Sequence, residues 1–142
     1  MKTLYTAEAL ASGEGRDGTA VTKDGKLNVA LASPVELGGS GEGTNPEQLF
    51  AAGYAACFHS ALRLVGRQQK ADLTDSAVAA RIHLGALDGS GYGIAAELEI
   101  ALPAVDRETA EALVAKAHEV CPYSNATRGN ITVDITILEV AA

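Results

Sequence analysis

Residues 45–69 read NPEQLFAAGYAACFHSALRLVGRQQ, and this stretch decides the fold. Asn45 is a good N-cap, Pro46 suits the first helical position, and Glu47 complements the positive helix end. The spacing predicts a helix running to about Gln69. Leu49, Phe50, Ala51, Ala52, Tyr54, Ala55, Ala56, Cys57, Phe58, Ala61, Leu62, Leu64 and Val65 cover every face of its early turns. A helix apolar all round is a buried one. Its small residues, Ala51 to Gly53 with Ala55 and Ala56, would let another helix approach closely. A chain of 142 residues buries only about two-thirds of its unfolded surface, so a partner chain is expected to help cover this helix.

Outward from the helix, the stretch before it, Ser33 to Asn45, is polar and Gly-rich and reads as a flexible connector, or as an arm reaching another subunit. Gly18 to Lys23 and Lys26 to Ala32 flank Asp24-Gly25, which favours a tight two-residue hairpin turn. Lys2 to Ala11 reads as a further strand. After the helix, Val78, Ala80, Ile82 and Leu84 alternate with Arg81 and His83. Ile94, Ala96, Leu98, Ile100 and Leu102 alternate with Glu97 and Glu99, so two antiparallel strands with one solvated face are expected. A second helix opens at Asp106 and carries Ala110, Leu113, Val114, Ala117 and Cys121 on one stripe. Pro122 ends that pattern. Ile131, Val133, Ile135 and Ile137 mark a last strand. The order predicts a single α+β domain over residues 1–142 with mainly antiparallel sheet.

Composition narrows the function. The net charge of −7, with no Lys/Arg cluster, opposes nucleic-acid binding. The longest strongly apolar run, Leu49 to Phe58, falls short of the ~20 residues a membrane span needs. Glu8 interrupts the faint signal-peptide pattern around Ala9-Leu10-Ala11. A cytoplasmic location is therefore expected, where two cysteines are reduced at rest and a disulfide is transient. The Asn-x-Thr triplets at Asn125 and Asn130 are then chance matches.

Cys57 and Cys121 stand on two separate apolar helices, which allows either inert packing or a disulfide pair. A reactive Cys57 needs a nearby cation, because apolar surroundings suppress the thiolate. Arg63 and Arg67 lie on the polar, later half of the helix. Arg16, in a Gly-Arg-Asp-Gly turn, is either solvated or folded inward. Glu47 stabilises the helix start, and it lies ten residues from Cys57, hence ~15 Å along the axis. Both can serve one site only if an arginine bridges the gap or a second subunit supplies Glu47. Gly13 to Gly18 matches G-x-G-x-x-G without the following helix that a dinucleotide site requires. Cys57-x-His59 with His118-x-x-Cys121 suggests zinc, but Cys57 and His59 point about 200° apart on a helix. No metal is expected, and His83 reads as solvated.

The runs GTNPEQLFAAGYAACF (Gly43 to Phe58) and VCPYSNATRGN (Val120 to Asn130), with the turn Gly15 to Gly18, resemble the signatures of organic hydroperoxide resistance proteins in the Ohr/OsmC family. The resemblance covers essentially the whole chain. It implies an intertwined homodimer, with two buried central helices back to back inside sheets from both chains. It implies Cys57 as the peroxide-attacking cysteine, Cys121 as its disulfide partner, Arg16 as the activating arginine and Glu47 as the carboxylate orienting it. It further implies no bound cofactor, organic hydroperoxides as substrate, and dihydrolipoyl groups (dihydrolipoamide or lipoylated proteins) as external dithiol reductant. Leu49, Phe50, Tyr54 and Phe58 are core residues of which some would line a slot for an alkyl tail. Two alternatives use the same fold: a relative in the osmotically inducible branch, against which the CPYSN run argues, and a redox-sensing or ligand-binding dimer without turnover. A third is a structural dimer with both cysteines as packing.

Overall fold

In the computed structural model, which describes residues 1–142, the chain divides into two units, Met1–Leu49 and Phe50–Ala142. In the first, β1 (Ala9–Ser12), β2 (Thr19–Thr22) and β3 (Asn28–Ala30) form an antiparallel sheet in that order. The first strand is much shorter than expected, because Met1 to Ala7 are exposed and join no ladder. The hairpin loop is longer than two residues. Asp24 accepts hydrogen bonds from the Thr22 hydroxyl at 2.7 Å and the Lys26 amide at 3.1 Å, and this local turn replaces further strand pairing.

The Gly-rich stretch after β3 is a built loop rather than a loose connector. It carries a 3-10 turn, Val35–Leu37, and returns to β3 through Ala32 N–H to Thr44 O at 2.9 Å and Thr44 N–H to Ala30 O at 3.1 Å. Glycine is required where backbones meet: a Cβ on Gly43 would lie 2.7 Å from the Ala30 carbonyl oxygen. The loop delivers Asn45, whose side chain accepts the Gln48 amide at 2.9 Å and caps α1 (Pro46–Gln69).

The second unit adds β4 (Ala77–Ala86), β5 (Tyr92–Leu102), α2 (Arg107–Val120), α3 (Pro122–Thr127) and β6 (Val133–Val140). β4 and β5 pair antiparallel, with Val78 opposite Ile100 and Leu84 opposite Ile94. β6 pairs parallel to β5, with Ile137 opposite Ile100, so α2 and α3 form the crossover that parallel strands need. α2 ends before Pro122 as expected, and Pro122 is also the first residue of α3, the helical position where proline's missing N–H costs nothing.

One core unites the inward faces. Tyr54, Phe58, Leu62 and Val65 from α1 meet Leu98, Ile100 and Leu102 from β5, and Leu113, Val114 and Ala117 from α2. On the outer face Arg81 bonds Glu97 and Glu99, and His83 bonds Glu97. Within the single chain α1 is buried on one side, with Ala52, Ala56 and Leu64 left exposed. Taken whole, it is long and apolar enough to cross a membrane by length and composition, although its longest unbroken apolar run is short. Its inward face is spent on the core just described, as in core helices generally.

Candidate active site

In the first unit, the 3-10 turn Gly15–Asp17 presents Arg16. Its two terminal nitrogens donate to the two Glu47 oxygens at 2.7 and 2.6 Å, a bidentate pair. Asp17 accepts the Ser33 amide at 3.0 Å and ties the turn to the neighbouring loop. The Arg16 hydrogen bonds hold the Glu47 carboxyl below the usual range, against partial burial that pushes it up. Glu47 in turn raises Arg16 further above neutrality. Arg16 is thus drawn to a carboxylate rather than left as a solvated turn residue.

In the second unit, the sulfurs of Cys57 and Cys121 lie 3.7 Å apart as free thiols. That is non-bonded contact, against ~2.05 Å in a disulfide. Cys121 is fully buried and joins α2 to α3, serving as C-cap of one and N-cap of the other. Cys57 is half-buried on α1. Burial pushes the Cys57 thiol above its ordinary range, the Tyr123 backbone hydrogen bond opposes this, and Cys121 adds to the rise. Burial thus disfavours the Cys57 thiolate, and a nearby cation would be needed to make it a nucleophile.

The expected slot residues divide. Tyr54 and Phe58 have no exposed surface and belong to the core. Leu49 and Phe50 remain half-buried. Sequence reasoning missed Tyr123, which is 36% exposed and stacks against Phe50 at 5.7 Å and Tyr54 at 5.6 Å between ring centroids. Its position just after Cys121-Pro122 was the available signal. Also missed was a buried polar cluster. The Tyr54 hydroxyl lies 3.0 Å from Ser124 Oγ and 3.1 Å from Thr127 Oγ1, and His118 Nδ1 lies 2.8 Å from the same Ser124. His59 bonds Ser76 at 3.0 Å. No three His, Cys, Asp or Glu side chains converge as metal ligands. A cleft of about 370 Å³ beside Tyr5, Thr6 and Lys23 holds none of the reactive groups.

The OsmC-like protein family matches residues 39–136 of the chain. The chain is 53% identical to the organic hydroperoxide resistance protein of Xanthomonas axonopodis pv. citri (strain 306) over 138 residues, which cover 96% of each. Its fold is similar to the crystal structure of an organic hydroperoxide resistance protein from Legionella pneumophila, with TM-score 0.92 and 51% identity over 96% of this chain and 98% of that one. It is also similar to one from Elizabethkingia anophelis, with TM-score 0.93 and 46% identity over 98% and 99% of the two chains.

Proposed function

This chain belongs to the OsmC-like protein family, within its organic hydroperoxide resistance group, and from that membership we propose that it is a cytoplasmic thiol peroxidase reducing organic hydroperoxides to alcohols. The observation that carries the reading is the 3.7 Å approach of Cys57 and Cys121. At that separation a small movement of either side chain brings the sulfurs to bonding distance, as a disulfide-forming pair requires.

In this reading Arg16, held by its bidentate bond to Glu47, supplies the charge that stabilises the Cys57 thiolate against the burial that disfavours it. The thiolate attacks the distal oxygen of the hydroperoxide, the O–O bond breaks, and the alkoxide leaves as alcohol after taking a proton. Cys57 is then a sulfenic acid. The Cys121 thiol displaces its hydroxyl as water and a disulfide forms. An external dithiol, a dihydrolipoyl group in this proposal, reduces the disulfide by two exchange steps. The cycle as written uses no bound cofactor. Exposed parts of Leu49 and Phe50 offer apolar contact to an alkyl tail. A second copy of the chain covers the exposed Ala52, Ala56 and Leu64 face of α1, and the working form is a homodimer. The cytoplasmic location suits thiols that rest reduced.

Turnover of cumene hydroperoxide with dihydrolipoamide or glutathione as sole reductant tests the reading. Turnover with dihydrolipoamide that disappears in Cys57→Ser is expected. Absence of turnover with either reductant would refute it and leave a redox-sensing dimer of the same fold.

A further inference from the structure

The side chains of Tyr54, Ser124 and Thr127 are polar yet buried, with Tyr54 and Ser124 wholly so. Burying hydroxyls is unfavourable unless each finds a partner. Here they do, in a connected set. His118 Nδ1 meets Ser124 Oγ at 2.8 Å, Ser124 meets the Tyr54 hydroxyl at 3.0 Å, and Tyr54 meets Thr127 Oγ1 at 3.1 Å. Thr127 donates onward to the Tyr123 carbonyl at 2.9 Å. One proton assignment satisfies every member in a single direction, from the His118 ring N–H through three hydroxyls to that carbonyl. Arg128 also donates to the His118 carbonyl, bridging the far side of the same junction.

The placement is symmetric about the thiols. Tyr54 precedes Cys57 by three residues on α1, and Ser124 follows Cys121 by three residues on α3. The Tyr54–Ser124 bond therefore ties the two segments together about one helical turn from each sulfur. Gaps in such a buried set leave unsatisfied groups, so it favours one arrangement over looser ones.

We propose that the His118–Ser124–Tyr54–Thr127 set is a positioning device for the second chemical step, holding the Cys121 thiol against Cys57 so that disulfide formation outruns further oxidation. This rests on the peroxidase reading above. In that step the S–O bond of the Cys57 sulfenic acid breaks and an Sγ–Sγ bond forms. The Cys121 sulfur is oxidised and the Cys57 sulfur is reduced. The Cys121 proton leaves with the displaced hydroxide as water. The competing fate is attack of the sulfenic acid on a second hydroperoxide, giving sulfinic acid and another alcohol. Proximity decides between an intramolecular and a bimolecular path. Tyr54, Ser124 and Thr127 touch neither substrate nor reacting atoms in this scheme. They are positioning residues.

The test compares the parent chain with Ser124→Ala and Tyr54→Phe, using Ile100→Val as a core control outside the set. Each is treated with cumene hydroperoxide, and the ratio of disulfide to trapped sulfenic plus sulfinic acid at Cys57 is read by intact mass. Each substitution removes two hydrogen bonds of the set, and this is expected to lower that ratio by about tenfold in Ser124→Ala and Tyr54→Phe. Ile100→Val is expected to keep the parent ratio at a comparable loss of melting temperature. The same comparison with diamide as oxidant needs no peroxidase activity: a slower disulfide in both variants is expected there even if the parent fails to consume hydroperoxide. A parent-like ratio in both variants, or an equal fall in Ile100→Val, overturns the inference.

Discussion

Replacing Glu47 by glutamine keeps its size but sets an amide against a guanidinium. The parent bonds, at 2.6 and 2.7 Å, use both carboxylate oxygens. Glutamine supplies one acceptor and one NH2 group, and the latter faces a fork that can only donate. A hydrogen bond to a charged group contributes roughly 1.5–3 kcal/mol. The Arg16 side chain is 40% exposed and Glu47 17%, so solvent screens the pair. A net loss of about 1–2 kcal/mol follows. That is about 5- to 30-fold in the fraction of arginine held in place. In the peroxidase reading kcat/KM for organic hydroperoxide falls by the same factor. The pH profile sharpens the test. Arg16 lowers the Glu47 pKa, so the stabilisation by the pair is fully present above the unfolded value of about 4.3 and is lost only as pH falls through the lower folded value. The parent pair is therefore intact throughout the range from pH 5 to 8, and Glu47→Gln should lower the rate evenly across it. Dithiol-coupled assays at several pH values check this. A rate within twofold of the parent, or a loss confined to one end of the range, would refute the claim that Glu47 works by holding Arg16.

The same substitution at two glycines of α1 should have opposite effects. A Cβ at Gly53 would lie 2.8 Å from the Tyr123 hydroxyl oxygen, the far end of a partly exposed ring that can swing away. Alanine also favours helix over glycine by about 1 kcal/mol, so Gly53→Ala should melt at or above the parent temperature with Tyr123 displaced. At Gly66 the Cβ would meet Leu73 Cδ1 at 2.3 Å inside the core, and overpacking should destabilise Gly66→Ala by roughly 1–3 kcal/mol in urea unfolding. Equal melting temperatures for the two variants would contradict the packing.

The helix and strand periods were plain in the sequence because they record burial directly. α1 begins and ends where Asn45, Pro46 and the apolar pattern place it, and β5 keeps the alternation of Ile94 to Leu102. What failed were features set by neighbours. The first strand shortens because nothing pairs with Met1 to Ala7, and α3 forms because Pro122 can start a helix as readily as end one. The site was legible only in part. No local pattern could reveal that Arg16 meets Glu47, since they stand 31 residues apart. Only the family resemblance suggested that pair, and it suggested the cysteine pair likewise. Tyr54 carried a misleading signal. Its ring matched the apolar stripe, while its hydroxyl belongs to a buried network whose other members lie some seventy residues on.

Cys121 ends one helix and begins the next, and its amide and carbonyl are both committed. Its N–H bonds the Ala117 carbonyl at 2.9 Å, and its carbonyl accepts from Asn125 N–H at 2.9 Å. Covalent capture of the sulfur would therefore stiffen two backbone ladders at one residue. The Cys121 and Asn125 amides become natural reporters, exchanging their hydrogens for deuterium more slowly in the oxidised chain than in the reduced one. Oxidation state could then be followed along the backbone, with no probe placed on either thiol.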